Sequence, residues 1–483
     1  MKDQMLRRTK IVATVGPATD DPGVLTDMMH AGLDVVRINA SHGTIEDRRR
    51  RLGLVREACK RADKCIGVLL DLGGPKIRIE GFRTGKVLLE EGQSFVLDTT
   101  LDSKAGTPEV VGVAYKDLPK DVIPGDTLLL ADGLIVLDVE RVSSTRIETR
   151  VRVAGELSDR KGLNRQGGGI SAPAISEKDR EDIRFVAEEG IDYMAVSFAR
   201  DASDIQQART LMREAGGDAR IVAKIERHEA VANLSEIIDA SDAVMVARGD
   251  LGVEMGYAEL TGLQKTIIHQ TRAKNRIVIT ATQMMESMIQ SPVPTRAEVS
   301  DVANAVMDGT DAVMLSAESA TGRYPVKAVK AMAQVIEGAE KYQLTHTRTR
   351  HRVEGQFKGT EEAIAMSVMY TANHMKVGAI VALTETGATP LWMSRIRSDI
   401  PIYAFTRHEA TRRRVTLFRG VYPVIFDVTT KNSTETLYRE LFTRLLDLQL
   451  VKKNDLVILT KGELSGVQGG TNSMLILKVV LEG

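Results

Sequence analysis

Eight short apolar runs, most of them followed by a helix-like stretch, constrain this chain more than any other feature. They are Thr9–Gly16, Leu33–Gly43, Ile66–Arg78, Ile191–Phe198, Arg220–Glu226, Asp242–Asp250, Arg276–Met288 and Asp311–Ala320. Near-continuous apolar character marks strands buried on both faces, as in a parallel sheet. Eight is the count that closes a (β/α)8 TIM barrel, interrupted here after the third strand. An open doubly wound sheet is the rival architecture, and it would gather its polar residues at one crevice. Here Arg37, Asp71, Lys224, Glu226, Asp250, Thr282 and Glu318 stand at the ends of most runs. Barrel sites draw on the C-terminal ends of several strands at once, so these positions form one candidate rim.

The intervening segments read as amphipathic helices. Ser176 and Asp179 make a capping-box start ahead of Ile183, Val186 and Ala187, and Gly190 ends that helix. Leu260, Leu263, Ile267 and Ile268 form one stripe, and Val299, Val302, Ala303 and Val306 another, ended by Gly309. Arg48 to Arg51 read as a solvated helix face.

Between about Gly74 and Pro173 the runs shorten and alternate with period two. Asp132-Gly133 between apolar runs is a hairpin signal. The stretch is expected to be a β-rich insertion. Its return segment, Asp159–Pro173, carries Lys161, Arg165 and three consecutive glycines at 167 to 169. After Tyr342 the chain turns polar and basic, as a linker would, and a compact α/β unit is expected from about Thr360 to Gly483. In that unit Leu383–Pro390 joins a strand to a helix, and Thr384, Thr386, Gly387 and Thr389 could cradle a phosphate. An ordinary threonine-capped turn fits the same residues.

Composition narrows the functional classes. The chain has 65 basic and 65 acidic residues and only 4% aromatics, which argues against nucleic-acid and membrane-surface partners. Cys59 and Cys65 read as reduced thiols of a cytoplasmic protein. No apolar run approaches the roughly 18 residues of a membrane span. The basic N-terminus passes quickly into Gly-Pro, which argues against a signal peptide.

Lys224 and Glu226 are two apart in a β-rich run and share one face, and Asp250 ends the next run. Two carboxylates with a lysine beside them suit Mg²⁺ and an anionic phosphorylated substrate. A barrel-rim ion pair, with Asp250 as a helix N-cap, is the plainer alternative. Arg37, Asn39 and Ser41 share a face at another strand end, next to His42, which is not a normal core pattern.

The motifs "TKIVATVGPAT", "VVRINASHG", "AKIERHEAV", "VMVARGDLGVE", "TATQMMESM", "PTRAEVSDVANAVMDGTDAVMLSAESA" and "GGTN" resemble those of the pyruvate kinase family, in the same order along essentially the whole chain. The resemblance implies a (β/α)8 barrel catalytic domain over residues 1–74 and 173–345. A β-barrel lid would occupy 75–172, and a C-terminal α/β regulatory and oligomerisation domain 346–483. It implies phosphoryl transfer from phosphoenolpyruvate to ADP, giving pyruvate and ATP in glycolysis, by a cytoplasmic homotetramer that requires Mg²⁺ or Mn²⁺. By the family pattern Glu226 and Asp250 hold the metal. Lys224 faces the transferring phosphoryl group and the enolate oxygen. Arg37 and Arg78 hold phosphate oxygens, Gly249 and Asp250 border the substrate, and Thr282 lies where the enolate is protonated. Asn39, Ser41 and Asp71 belong to a monovalent-cation pocket, and Asn39, His42, Arg78 and Lys161 approach the nucleotide.

Three departures stand out. Leu72 and Lys76 replace the threonine and glutamate that most relatives carry, and the glutamate accompanies K⁺ dependence. A lysine resembles the branch that works without K⁺, its ammonium standing in for the ion. Lys76 could also simply point to solvent. The lid's return segment lacks the first of the family's usual prolines. Ala388 replaces a basic residue common after the glycine of the phosphate loop, so fructose 1,6-bisphosphate is not implied; another phosphorylated allosteric effector, such as AMP or a sugar monophosphate, or no effector at all, stays open. Two other functions compete: a Mg²⁺-dependent lyase or aldolase on a similar barrel, and a metabolite sensor without turnover.

Overall fold

The computed structural model describes residues 6–346, 357, 359–430, 433–462 and 470–480. Most of the basic stretch expected as a linker, and Gly469 of "GGTN", lie outside these residues. The first part of that stretch is not a linker: the helix Pro325–His346 runs through it.

Eight parallel strands close into a barrel, which excludes the open doubly wound sheet. In chain order they are Lys10–Thr14, Val35–Asn39, Gly67–Asp71, Tyr193–Val196, Arg220–Ile225, Ala243–Ala247, Ile277–Ala281 and Ala312–Leu315. Closure is made by the first strand pairing with the eighth, Lys10 opposite Ala312. Helices start and stop where local chemistry dictates. Capping boxes at Thr44–Asp47, Ser176–Asp179 and Thr295–Glu298 satisfy the first free N–H groups. Gly190, at φ 61°, closes the helix Glu177–Glu189 in the left-handed conformation that costs glycine least.

The expected strands run too long. The third ends at Asp71, and Arg78 instead forms an isolated bridge to Gly162. The sixth ends at Ala247, where the helix Arg248–Met255 begins, so Asp250 lies in a first helical turn rather than at an N-cap. The seventh stops at Ala281 because Thr282 and Gln283 turn left-handed, at φ 70° and 51°. The eighth stops at Leu315, ahead of the short helix Ala317–Ala320. Past the sixth and seventh strands the apolar pattern continues into Leu251, Met284, Met285 and Met288, which pack on the barrel's outer core from a helix and a turn. Arg48 also departs from a solvated face: it is 2% exposed and donates to Asp182 at 2.5 Å and to the Ala40 carbonyl at 2.6 Å.

The segment after the third strand forms a six-stranded sheet and a two-stranded ribbon around their own apolar core. Asp132-Gly133 turns the antiparallel hairpin between Thr127–Leu130 and Ile135–Val142. Downstream, a five-stranded sheet carries the helices Thr360–His374, Ala388–Ser394 and Thr434–Asp447. That sheet's layer docks on the N-terminal mouth of the barrel. Lys10 Nζ donates to the Val421 carbonyl at 2.8 Å, Tyr193 Oη to the Arg414 carbonyl at 2.6 Å, and Arg220 Nη2 to the Thr386 carbonyl at 2.9 Å. All three donors open barrel strands. One apolar core runs from the barrel interior (Val12, Leu69, Val222) into this layer (Met369, Phe418, Ile458). The C-terminal mouth is thereby left for chemistry.

Candidate active site

At that mouth the strand ends converge on a line of alternating charges. Arg37 donates through Nε and Nη2 to Asp71 Oδ2 at 2.8 and 2.6 Å, and through Nη1 to Thr14 Oγ1 at 2.9 Å. Lys224 Nζ lies 3.4 Å from Asp71 Oδ1 and 2.8 Å from Glu226 Oε1. Lys76 Nζ lies 3.1 Å from Asp250 Oδ1 and 3.7 Å from Asp132 Oδ1 of the inserted hairpin. Arg37, Asp71, Lys224 and Glu226, read separately along the sequence, thus form one ion-paired line, and the Lys76–Asp250 pair stands near enough for Asp250 to act on Glu226.

Its electrostatics are those of a dry site with fixed cations. Burial opposes a charged Lys224, yet Asp71 and Glu226 outweigh it and hold the ammonium above the ordinary lysine range. Burial likewise opposes ionised Asp71, but Lys224 and Arg37 pull its carboxyl below the usual value. Glu226 differs. Burial and the facing charge of Asp250 hold its carboxyl above the usual range against the pull of Lys224. Two carboxylates that act on each other, each with a lysine on one side, fit a divalent cation, which relieves their repulsion. Among the described residues no group of three or more His, Cys, Asp or Glu could hold a metal. A pair is the number Mg²⁺ commonly takes from protein, with water and substrate oxygens completing its shell.

Two strained residues border the site. Thr282, at φ 70°, is a β-branched residue in left-handed backbone, a conformation that costs about 1–3 kcal/mol unless the surroundings hold it. They do: its Oγ1 accepts the Gly249 N–H at 2.7 Å, and Arg248 Nη2 donates to its carbonyl at 2.8 Å while Nη1 reaches Asp301 at 2.7 Å. Phe198, at φ 56°, aims its N–H at Glu226 Oε2, 2.8 Å away. Phe198 carried no signal in the sequence. Ser197 did, as the polar end of the fourth apolar run, and its hydroxyl accepts from Lys224 Nζ at 2.7 Å and donates to the Leu72 carbonyl at 2.8 Å. Thr14, at the end of the first strand, followed the same rule.

The remaining candidates divide. Ser41 N–H donates to Asn39 Oδ1 at 3.0 Å, beside the strand end that pairs Asn39 with Asp71. Leu72 is buried in the barrel's outer core and offers only its carbonyl, already taken by Ser197. Exposed His42 is shifted below the ordinary imidazole range, by partial burial and then by Arg78, Lys178 and Arg37, which face it. Arg78 Nη1 donates to the Arg160 carbonyl at 2.9 Å, and exposed Lys161 accepts the Ile79 N–H on its own carbonyl at 3.0 Å. Glu318 is structural: its buried carboxylate accepts N–H groups of Met285 and Ser316. The Thr384–Thr389 loop is remote, near the barrel's other mouth. Thr384 Oγ1 accepts the Gly387 N–H, Thr386 Oγ1 the Ala388 N–H, and Thr389 shares a hydrogen bond with Thr471, as in an ordinary capped turn.

The insertion touches this rim through its return segment and its hairpin. Asn164 Nδ2 reaches Glu254 Oε1 at 3.5 Å, and Tyr257 Oη reaches the Asp132 carbonyl at 3.4 Å. Gly169 N–H donates to Glu229 Oε1 at 2.6 Å, and Arg227 Nη2 to the Ile170 carbonyl at 2.8 Å.

Known proteins resemble this chain in sequence and fold. Residues 6–329 match the family model described as pyruvate kinase, barrel domain, and 362–477 the model described as pyruvate kinase, alpha/beta domain. Pyruvate kinase II of Salmonella typhimurium is 52% identical over 98% of this chain and 99% of its own length. A pyruvate kinase of Geobacillus stearothermophilus is 43% identical over 98% of this chain and 80% of its own. A crystal structure of a Cryptosporidium parvum pyruvate kinase superposes with a TM-score of 0.90 at 33% identity, covering 98% of this chain and 96% of that one. The chain belongs to the pyruvate kinase family and is a phosphotransferase.

Proposed function

We propose that this enzyme transfers the phosphoryl group of phosphoenolpyruvate to ADP, giving pyruvate and ATP, with Mg²⁺ and without K⁺. The observation that carries the reading is the line Arg37–Asp71–Lys224–Glu226 with Asp250 and Lys76 at the C-terminal mouth. Glu226 and Asp250 would hold the divalent ion, which neutralises phosphate charge when bound. Lys224 is a permanent buried cation, suited to the equatorial oxygens of the phosphoryl group and to the enolate oxygen left behind. Asp71 aims Arg37 by a two-donor bond, so the guanidinium meets phosphate already oriented. Thr282 positions a water that protonates the enolate, since its own hydroxyl is a weak acid. The inserted sheet acts as a lid that excludes water, bringing Arg78 and Lys161 towards the nucleotide beside His42 and Asn39.

K⁺ independence rests on the Lys76 ammonium facing Asp250 rather than solvent, next to the expected phosphate position. Asn39, Ser41 and Asp71 would line the family's cation pocket, with Lys76 supplying its charge from the Asp250 side of the mouth. The wider reading is a glycolytic, cytoplasmic homotetramer with three domains, divided near residues 74, 173 and 345. The exposed Tyr342 and Leu344 suit subunit contacts. A phosphorylated effector at Thr384, Thr386, Gly387 and Thr389 would act through Arg220, which ties the loop to the strand ending near Lys224.

A coupled assay of ATP formed from phosphoenolpyruvate and ADP tests the activity. Turnover is expected with Mg²⁺ and should vanish with excess chelator. Glu226→Gln and Asp250→Asn should each raise the Mg²⁺ concentration needed for half-maximal rate. Cleavage of an enolpyruvate or oxaloacetate substrate without ATP would instead assign a lyase.

A further inference from the structure

A second cationic site lies at the seam between the barrel and the C-terminal sheet, away from the catalytic mouth. Arg8 precedes the first barrel strand and Gln343 lies on the helix Pro325–His346. Asn373, Arg397, Ser398 and Arg419 face them from the other layer. They line a cleft of about 90 Å³. A single water needs only about 10–15 Å³, so the space suits a group several times larger.

The charges in this cleft do not balance. Arg8 and Arg419 are only 7% and 5% exposed. Their shared counter-ion is buried Glu340, 3.6 Å from Arg8 Nε and 3.6 Å from Arg419 Nη2, beyond good hydrogen-bond range. The Glu340 oxygens are already satisfied: they accept the Arg8 N–H at 2.9 Å and the Thr9 N–H and hydroxyl at 2.7 and 2.8 Å. Buried Arg8 Nε has no hydrogen-bond partner among the described residues. Arg8 Nη1 is used by the Ser398 carbonyl at 2.5 Å, and Arg397 Nη2 by the Met307 carbonyl at 3.0 Å. Other acids are committed or open to solvent. Asp311 takes both branches of Arg395 at 2.5 and 2.9 Å, Asp308 holds Lys265 at 2.5 Å, and Asp399 lines the cleft but is exposed. Burial and then the neighbouring charge of Arg8 push the Arg397 guanidinium below its ordinary range. Arg419 is likewise lowered, burial outweighing the opposing pull of Glu340, with Arg8 adding to the effect.

We propose that Arg8, Arg397 and Arg419, with the second N–H of the Asn373 amide, bind a small oxyanion of phosphate size across this interdomain seam. The planar guanidinium is the side chain best matched to such an oxyanion. Bound there, it would join the two layers and stabilise the assembled chain by mass action.

The test is binding of inorganic phosphate to the intact, metal-free protein by equilibrium dialysis, with Arg397→Gln as the probe. Arg397 is half-buried and remote from the catalytic line, so turnover should be retained, confirming the fold. Loss of one charge-assisted contact should weaken phosphate at this site about tenfold or more. Asn373→Asp, which places a carboxylate in the cleft, should weaken it comparably. A parallel titration with a sugar monophosphate separates sources: tighter binding that Arg397→Gln removes assigns the site to a phosphomonoester, and equal binding to free phosphate. Identical phosphate stoichiometry and affinity in the parent and both variants would overturn the proposal, as would no phosphate binding by the parent.

Discussion

Lys224 is the residue on which the site's charge depends. Removing it as Lys224→Met leaves Asp71 and Glu226 without their shared ammonium, and breaking a buried pair from one side costs about 3–5 kcal/mol. Arg37 still neutralises Asp71, which places the expected loss towards the lower figure. Turnover should fall by about 10²–10³-fold, the range seen when one preorganised electrostatic contact is removed. A variant with a lowered melting point but near-parental turnover would make Lys224 structural only. At this scale the sequence was legible wherever chemistry sits at a strand end. Arg37, Asp71, Lys224 and Glu226 could be picked out because a charged residue closing an apolar run has no place in a core. Phe198 could not, because its contribution to Glu226 is a backbone N–H aimed by a left-handed turn, and no residue type announces that. Arg48 misled for the opposite reason: it sits in a basic run but pairs with Asp182, 134 residues away in the sequence.

Among elements, the return segment of the insertion is one of its contacts with the rim, through Glu229 and Arg227. Gly167, Gly168 and Gly169 all have positive φ, at 81°, 77° and 89°. A Cβ on Gly167 would meet nothing within 4 Å, so Gly167→Ala costs only the left-handed strain of roughly 1–2 kcal/mol. A Cβ on Gly168 would lie 2.7 Å from Glu229 Oε2, and that carboxylate is anchored by the Gly169 N–H and Arg227. Gly168→Ala should therefore loosen the lid further, with faster proteolysis of the hinge and lower kcat/KM than Gly167→Ala. Equal behaviour of the two would remove the Glu229 anchor from the account. Glu254 adds a pH dependence. Burial pushes its carboxyl from about 4.5 to about 7 and Glu229 adds to it, against the His228 N–H, Arg227 and Asn164. A raised carboxyl contributes stability that is full below its unfolded value near 4.5 and is lost as pH rises through about 7. The unfolding free energy of the parent should thus fall between pH 5 and 8 relative to Glu254→Gln, by on the order of 3 kcal/mol at most, and its melting point should fall with it. A pH-independent difference would show that Glu254 does not titrate in this window. Period-two alternation and Asp132-Gly133 made the insertion legible as β structure. The strand ends at Ala247 and Ala281 were not, because the apolar pattern continues into a helix and a turn that pack on the barrel's outer core.

For the whole molecule, the two mouths of the barrel divide the work. The C-terminal sheet closes the N-terminal mouth through Lys10, Tyr193 and Arg220, leaving the opposite mouth to the charged line. Strand count made the barrel legible from sequence. The docking of the two layers was not, since it depends on donors such as Tyr193 that read as ordinary core residues. The interdomain arginines were equally hidden, scattered from Arg8 to Arg419. The central functional claim is that a lysine ammonium, Lys76 Nζ, supplies the charge that a potassium ion brings in most relatives. Its most direct test is the coupled phosphoenolpyruvate–ADP assay in rigorously K⁺-free buffer, run with the parent and with Lys76→Glu, each with and without KCl. Full parental turnover is expected without K⁺, and the Lys76→Glu variant should turn over only when KCl is added. Trace parental turnover in K⁺-free buffer, restored by KCl, would contradict it.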